Sequence, residues 1–177
     1  MGLTFFCALS CFFSIGLGGD SVAIKLGDWI TCGLFEINWG FLFDPLSISV
    51  ICVVTGVSSL VHMYSIGYMS EDPHRPRFMC YLSLFTFFMV ILVTADNLVQ
   101  MFLGWEGIGL TSYLLIGFWY TRIQANKAAI KAMLVNRVGD LGLALGIAAA
   151  YAQYNCLDYA TLFAVAPTAN DSMVFFG

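Results

Sequence analysis

Long apolar stretches alternate with short polar segments along the chain. No Asp, Glu, Lys or Arg occurs in the 26 residues between Asp44 and Glu71 or in the 18 residues between Arg77 and Asp96. A helix needs about 20 apolar residues to cross the hydrocarbon core of a bilayer, so each stretch is close to one crossing in length. The pattern predicts five membrane-spanning helices and leaves room for the start of a sixth at 172–177. The five predicted spans are 1–19, 45–69, 78–95, 97–119 and 125–154.

The segments between these spans are polar or rich in turn-forming residues. The connection 20–44 contains several glycines and acidic residues and is predicted to be an irregular surface loop. The segment SEDPHRPR, at 70–77, contains two prolines, which oppose a continuous helix. Asp96 and Asn97 mark a tight turn between the third and fourth spans. Each polar segment therefore separates two predicted helices.

Composition changes the expected surroundings of the chain. Of the 177 residues, 60% are apolar and only 10% are charged. A soluble domain of this size could not bury so much apolar surface, so most of the chain is predicted to lie in lipid. We therefore predict an all-α fold, a polytopic bundle of transmembrane helices that forms a single membrane domain, 1–177. The first apolar stretch lacks the basic amino-terminal region of a cleaved signal peptide and is interpreted as a retained helix.

The basic residues of the connecting segments favour one orientation in the membrane. Lys25 is the single base on one predicted side. Four bases fall on the other side, and these are Arg75, Arg77, Arg122 and Lys127. The positive-inside rule places this second side, together with the amino terminus, on the inner face of the membrane.

The cysteines and the basic residues argue against several kinds of site. The six cysteines form no CxxC pair and have no histidine at metal-ligand spacing, so neither a zinc site nor a disulfide framework is predicted. They are interpreted as buried thiols that act as small hydrophobic side chains. Seven basic residues spread along the chain form no pattern typical of nucleic-acid binding.

Glu106 lies near the middle of an otherwise uncharged run, MFLGWEGIGLTSYLLIGFW. It follows Asp96 by ten residues, about 15 Å along a helix, and is predicted to lie halfway through the hydrocarbon core. A charge at this depth costs on the order of 3 kcal/mol, so it normally has a partner or faces water. Burial favours the neutral form of a carboxylate and a nearby cation favours the charged form, which makes Glu106 a candidate proton carrier. The alternative is a permanent structural ion pair.

Three more charged residues lie within the fifth predicted span. Arg137 and Asp140 are neighbours at i and i+3 and are predicted to form an intrahelical pair, in which Arg137 biases the charge of Asp140 or of another acid nearby. Lys131 can titrate where it is desolvated, or its amine can reach the membrane surface. His62, near the inner end of the second span, is either a proton carrier or a hydrogen-bonded packing residue.

Small residues surround both charged segments and predict that other helices approach them closely. Three glycines flank Glu106 and three follow Arg137, and these are Gly104, Gly107, Gly109, Gly139, Gly142 and Gly146. The tryptophans, Trp105 among them, are interpreted as interface anchors or packing residues.

Four runs of the sequence resemble subunit 5 of mitochondrial NADH:ubiquinone oxidoreductase, respiratory complex I. The resemblance extends almost unbroken from about Asn38 to Tyr154 and is faint before it. Related antiporter-like subunits share parts of the pattern, but the run SEDPHRPRFMCYLS favours subunit 5. The four runs are FDPLS (43–47), SSLVHMYSIGYMSEDPHRPRFMCYLSLFTFFM (58–89), DNLVQMFLGWEGIGLTSYLLIGFWYTR (96–122) and QANKAAIKAMLVNRVGDLGLALGI (124–147).

The resemblance implies an all-helical core subunit of the membrane arm, with inverted repeats related to cation/proton antiporters. It implies proton translocation coupled to electron transfer from NADH to ubiquinone in the mitochondrial inner membrane. Glu106 matches the family's key glutamate, Arg137 and Asp140 match the charged pair of its NRVGD motif, and Lys131 and His62 match further positions. The resemblance also implies that NADH, FMN, iron–sulfur clusters and ubiquinone are bound by other subunits, in keeping with a sequence that has no dinucleotide-binding glycine motif and no iron–sulfur cysteines.

The chain has far fewer helices than a complete member of this family. It ends before the helix that contains the lysine usually paired with the key glutamate, so the resemblance implies that this cation comes from another chain. We expect a split subunit, whose second polypeptide contains the remaining helices, rather than a fragment. The expected partners are this polypeptide, other membrane-arm subunits of complex I and membrane lipids. Two alternatives stay open: a structural scaffold piece of the membrane arm, and a subunit of a stand-alone cation/proton antiporter.

Overall fold

The computed structural model describes residues 1–19, 21–33 and 35–166. These residues form mainly helices, with one short π-helix, Phe12–Gly16, after the first α-helix. The α-helices are α1 (Gly2–Cys11), α2 (Pro45–Tyr68), α3 (Arg75–Val93), α4 (Leu98–Ile116), α5 (Ile123–Tyr154) and α6 (Tyr159–Val165). The strands are β1 (Val22–Cys32) and β2 (Phe35–Phe43). The predicted start of a sixth span at 172–177 lies outside the described residues.

Polar residues directly before α2 and α4 cap these two helices. The Asp44 side chain accepts a hydrogen bond from Ser47 N at 2.7 Å, and Pro45 is the first residue of α2. Asn97 acts in the same way on α4, where its side chain accepts from Gln100 N at 2.8 Å. An acceptor at this position satisfies one of the backbone N–H groups left unpaired at a helix start, and proline fits the first turn. The local sequence therefore determines where α2 and α4 begin.

Three helices among the described residues are long and apolar enough to cross a membrane: α2, α3 and α5. The apolar helix region Gly2–Gly16 is shorter. Only 11%, 11% and 6% of the most apolar segments of α2, α3 and α5 are buried. Their apolar side chains therefore face outward, where they can contact lipid or other membrane helices. The prediction of a mainly helical, polytopic membrane fold is confirmed, whereas the number of five spans and their orientation stay predictions.

Helix α4 packs between α3 and α5. A Cβ atom at Gly104 would lie 2.7 Å from Leu92 Cα, and a Cβ atom at Gly107 would overlap the Phe88 ring. Only glycine permits this approach of α3 and α4, so the predicted close packing is confirmed for α4. In the described part of the chain, no atom lies within 4 Å of a Cβ built at three glycines of α5: Gly139, Gly142 and Gly146. The close packing predicted for these glycines is therefore not present there.

The prediction of an irregular loop at 20–44 is wrong. Strands β1 and β2 pair antiparallel, with Val22 opposite Phe43. Both strands are rich in β-branched and aromatic residues, and this preference outweighs the glycines that suggested a loop. Gly27 lies next to a shift in the pairing register and forms an irregularity within β1 instead of ending the strand. Every residue of β1 is exposed, so the predicted surface position is correct for β1. It is wrong for β2, in which Ile37 and Gly40 are buried.

Polar side chains at the start of α4 bind the β-hairpin. Gln100 is 0% exposed; its Nε2 donates to Gly40 O at 2.8 Å, and its Oε1 accepts from Gly40 N at 3.3 Å. Asn97 Nδ2 donates to Asn38 O at 2.8 Å. A Cβ at Gly40 would lie 2.9 Å from Asp96 Oδ2, so glycine allows the two segments to approach without displacing the Asp96 side chain. These contacts hold β2 against the amino-terminal end of α4.

The prediction that the cysteines are buried is wrong for the described structure. Four of them are exposed and two are partly exposed: Cys7, Cys11, Cys32 and Cys80 in the first group, Cys52 and Cys156 in the second. Four of the cysteines lie in helices, where a thiol behaves as a small hydrophobic side chain and can face lipid, so burial inside the bundle is not required: Cys7, Cys11, Cys52 and Cys80.

Candidate functional site: the charged contact between α4 and α5

Glu106 on α4 binds Arg137 on α5. Arg137 Nη1 donates to both carboxylate oxygens of Glu106, each at 2.8 Å. These are short, charge-assisted hydrogen bonds, and they give the carboxylate a full cationic partner within the chain. The described chain therefore supplies one cation to Glu106 itself, whereas the lysine expected from another chain stays a prediction. This contact agrees with one of the two roles expected of Arg137, in which it biases the charge of an acid other than Asp140.

Asp140 lies on the same face of α5 as Arg137, but its closest partner is on α4. Asp140 Oδ1 accepts a hydrogen bond from Trp105 Nε1 at 2.8 Å, whereas Asp140 Oδ2 lies 3.9 Å from Arg137 Nη1. The predicted intrahelical ion pair is present at this longer distance. Adjacent residues of α4, Trp105 and Glu106, thus bind the two members of the α5 pair, one each.

The charged cluster is partly buried. The side chains of Arg137, Glu106 and Asp140 are 54%, 28% and 8% exposed. A cavity of about 440 Å³ is lined by Trp105, Asn136 and Asp140. A second cavity of about 480 Å³ is lined by Glu106, Arg137 and Asp140, so Asp140 borders both cavities. Two acids share one guanidinium, and the cavities leave room beside them for water, a proton donor or a further cation.

His62 lies outside this cluster, between α2 and α3. Its Nδ1 lies 2.7 Å from Ser58 O and its Nε2 lies 3.1 Å from Ser83 Oγ. A carbonyl oxygen can only accept, so a proton on Nδ1 donates to Ser58 O, and Nε2 of the neutral ring accepts from Ser83. Ser58 Oγ also contacts Thr86 Oγ1 at 2.6 Å. Both ring nitrogens are therefore satisfied, which favours the packing role over that of a proton carrier.

Lys131 is exposed on α5, six residues before Arg137 and about 9 Å from it along the helix. Within the described chain, the Lys131 amine makes no hydrogen bond and no ion pair. The structure does not bring it to Glu106. Its position agrees with an amine that reaches toward the inner membrane surface.

Trp105 is the residue of this site that the sequence pattern did not indicate. It is 49% exposed, as an interface or packing residue can be, yet its indole N–H binds a carboxylate that is almost completely buried. The one available signal was its position directly before Glu106. Nothing in the local sequence shows that α5 places Asp140 within its reach.

Residues 1–19, 21–33 and 35–166 contain no group of three His, Cys, Asp or Glu side chains that could hold a metal ion. The chemistry that the cluster itself can perform is the exchange of a proton on a carboxylate and the exchange of ion-pair partners.

The chain is similar to known proteins along most of its length. Residues 29–79 match the family model for "NADH-Ubiquinone oxidoreductase (complex I), chain 5 N-terminus", and residues 95–177 match that for "NADH:quinone oxidoreductase/Mrp antiporter, TM". NADH-ubiquinone oxidoreductase chain 5 of Arabidopsis thaliana is 58% identical over 95% of this chain. The chain 5 proteins of Marchantia polymorpha and Rhizopus stolonifer are 59% and 52% identical over 93% and 97% of it. The chain belongs to the chain 5 family of NADH-ubiquinone oxidoreductases.

This membership confirms the resemblance that the four sequence runs indicated. The chain spans about a quarter of the length of these chain 5 relatives, 25% of the Arabidopsis thaliana protein and 26% of the Rhizopus stolonifer protein. Glu106, Arg137 and Asp140 all lie in the segment that matches the antiporter-like membrane family. The contact between α4 and α5 is thus part of the homologous membrane region.

Proposed function

We propose that this chain is part of a core membrane-arm subunit of a proton-pumping NADH:ubiquinone oxidoreductase. Within that enzyme, it contributes to a proton path coupled to electron transfer from NADH to ubiquinone. The observation that carries the proposal is the ion pair of Glu106 with Arg137, next to the buried Asp140, in helices of an antiporter-like family.

The cluster can change its charge without a change in Arg137, because a guanidinium keeps its proton near neutral pH. When a proton reaches Glu106, the carboxylate loses its Coulomb attraction to Arg137. The guanidinium can then turn toward Asp140 Oδ2, which lies 3.9 Å away in the present arrangement. When the proton leaves, Arg137 returns to Glu106. The exchange links proton transfer at Glu106 to the position of the Arg137 charge beside Asp140.

The cluster lacks a lysine beside Glu106, which the rest of the subunit is proposed to supply. We propose that a second polypeptide contains the remaining helices and places a lysine beside Glu106, where Arg137 leaves room because half of its side chain is exposed. The pair would titrate as a coupled unit. Lys131 and His62 are proposed as further proton-translocation positions outside the cluster, since neither contacts it among the described residues.

The proposed location is the mitochondrial inner membrane, with several crossings by this chain. Its partners are other membrane-arm subunits of complex I and membrane lipids. NADH, FMN, iron–sulfur clusters and ubiquinone are assigned to those other subunits. The outward-facing apolar surfaces of α2, α3 and α5 support contacts with lipid and with membrane helices.

Glu106→Gln in the assembled complex tests the proposal, because glutamine keeps the shape of the side chain and cannot carry the proton. The measurement is the number of protons pumped per NADH oxidised in sealed membranes, with assembly followed by native electrophoresis. We expect normal assembly and reduced pumping. Glu71→Gln is the matched control, because Glu71 is an exposed carboxylate of the α2–α3 connection, and it should pump normally. Full pumping by Glu106→Gln would contradict the proposal.

A structural scaffold is the second candidate function, and the tight contact of Gly104 with Leu92 favours it. In that case, neutralising Glu106, Arg137 or Asp140 leaves pumping intact, whereas disruption of the glycine contact prevents assembly. A stand-alone antiporter is distinguished by co-purification, because the other subunits of complex I would then be absent. Intact-mass analysis of the same preparation distinguishes a second polypeptide from a longer form of this chain.

A further inference from the structure

Trp105 and Arg137 approach different oxygens of the Asp140 carboxylate. Trp105 Nε1 donates to Asp140 Oδ1 at 2.8 Å, and Arg137 Nη1 lies 3.9 Å from Asp140 Oδ2. The same nitrogen of Arg137 lies 2.8 Å from both oxygens of Glu106. The closer partner of Asp140 is therefore a neutral donor, although a guanidinium is present on the same helical face.

We propose that Trp105 is a positioning residue, which holds Asp140 with its indole N–H and so leaves Arg137 to Glu106. The consequence for pumping rests on the proposed function, whereas the positioning itself concerns only the geometry of the four side chains. Trp105 touches the charged groups and accepts no proton, because the indole nitrogen is a donor only.

The intrinsic geometry of α5 favours the opposite arrangement. Residues at i and i+3 are neighbours on a helix, so Arg137 and Asp140 could form a close ion pair without any help from α4. Asp140 is 8% exposed, and a buried carboxylate needs a partner of its own. The indole N–H supplies that partner and turns the Asp140 carboxylate toward α4. Arg137 is then free to donate to Glu106 across the contact between α4 and α5.

A second indole in the chain shows the same chemistry outside the membrane helices. Trp119 Nε1 donates to Asp72 Oδ2 at 3.0 Å. This hydrogen bond, together with that from the His74 backbone N–H, lowers the pKa of Asp72 below its ordinary value. An indole N–H can therefore stabilise a carboxylate anion in this protein. Trp119 also supplies a matched control, since Trp119→Phe removes one indole–carboxylate bond away from the cluster.

Loss of the indole N–H should redistribute Arg137 between the two acids. Trp105→Phe keeps an aromatic ring but leaves Asp140 without its donor. The unpaired carboxylate would then recruit Arg137, and the bond from Arg137 to Glu106 would weaken. A hydrogen bond to a charged group is strong enough to shift such a distribution by roughly tenfold.

The test uses the assembled complex with Trp105→Phe, Trp119→Phe and Glu106→Gln, alone and combined. Infrared difference spectra report the carboxylate bands directly. We expect Trp105→Phe to change the Glu106 band relative to the unmodified complex, and this change should be absent when Trp105→Phe is made in the Glu106→Gln background. Trp119→Phe should leave the Glu106 band unchanged. Absence of the change in Trp105→Phe, or its persistence in the Glu106→Gln background, would overturn the inference.

Pumping measurements separate this inference from the proposed function. We expect Trp105→Phe to lower the number of protons pumped per NADH oxidised by roughly threefold to tenfold, with normal assembly, and to have no further effect in an Asp140→Asn background. An equal further loss in that background would assign Trp105 a packing role and refute the inference. If the infrared change is present but Trp105→Phe and Glu106→Gln both pump normally, the positioning role stands and the proposed function fails.

Discussion

A single nitrogen of Arg137, Nη1, bridges both carboxylate oxygens of Glu106 at 2.8 Å. Arginine often binds a carboxylate through two parallel N–H groups, and that geometry is specific to the guanidinium. Here a single nitrogen donates to both oxygens, so the contact does not use two parallel N–H groups of the guanidinium. A compact cation could make much of the same interaction.

Arg137→Lys should therefore retain much of the pumping activity, whereas Arg137→Gln should lose most of it. Glutamine leaves the Glu106 carboxylate without a charge partner in the chain, at a cost of about 1–2 kcal/mol for this partly exposed pair, or roughly tenfold in a linked equilibrium. The measurement is again the number of protons pumped per NADH oxidised. Arg75→Gln, at the first residue of α3, is the charge control and should pump normally.

Equal losses in Arg137→Lys and Arg137→Gln would contradict this prediction. Such a result would mean that the exchange between Glu106 and Asp140 requires the planar guanidinium and that a compact cation cannot make it.

The helices were predictable because their signals are local. Asp44 with Pro45, and Asn97 before an apolar run, are start signals that the chain uses as such. The β-hairpin has local signals too, but they conflict: the glycines of 20–44 favour a loop, whereas its β-branched and aromatic residues favour strands. Gly27 and Gly40 lie within strands, and Gly40 leaves room for the Asp96 side chain instead of forming a turn.

The charged residues of the site were predictable, but their partners were not. Glu106, Arg137 and Asp140 are conspicuous because a charge in an apolar helix is costly. Which of them meet depends on how α4 and α5 are rotated against each other, and spacing within one helix contains no such information. Sequence spacing indicated the pair of Arg137 with Asp140 at 3.9 Å and could not show the contact with Glu106 at 2.8 Å. The bond of Trp105 to Asp140 was hidden for the same reason.

Gly104→Ala should destabilise the contact between α3 and α4. The new methyl group would lie 2.7 Å from the backbone of Leu92, which cannot move aside as a flexible side chain could. Overpacking of this kind typically costs about 1–3 kcal/mol. The yield of assembled complex and its thermal stability in detergent should both fall. Gly67→Ala on α2 is the matched control, because no atom of the described chain lies within 4 Å of a Cβ there. Equal stability of the two variants would contradict the packing argument.

Gln100→Met should loosen the β-hairpin from α4. Methionine has a similar length but cannot replace the hydrogen bonds of Gln100 with Gly40 N and Gly40 O. Leaving buried backbone groups unpaired costs about 1–3 kcal/mol each. Hydrogen–deuterium exchange in a peptide covering 35–43 should accelerate by roughly tenfold or more. Gln124→Met, at an exposed position near the start of α5, should leave this exchange unchanged. An unaltered rate in Gln100→Met would show that the remaining contacts, strand pairing and the hydrogen bond of Asn97 with Asn38, hold β2 in place.

Asp158→Asn should stabilise the chain at neutral pH. Burial, together with the negative charge of Asp96, raises the pKa of Asp158 above its ordinary value of 3.8, while Lys25 opposes the shift. A raised pKa means that the ionised carboxylate costs stability in the folded state. This cost is fully present above the folded pKa and disappears as the pH falls below 3.8, where both states are protonated. The stabilisation by asparagine should therefore shrink as the pH falls through this range.

The measurement is the thermal midpoint of Asp158→Asn and of the unmodified protein in detergent, from neutral pH down to pH values near 3.8. Asp96→Asn should give a smaller gain with the same pH dependence, because it removes one of the two causes of the raised pKa. The opposite result is also informative. Asp158 is the residue before α6, but its side chain makes no capping hydrogen bond. If Asp158→Asn destabilised the protein at every pH, the carboxylate would have to bind the start of α6 in solution, and the assigned cost of its charge would be wrong.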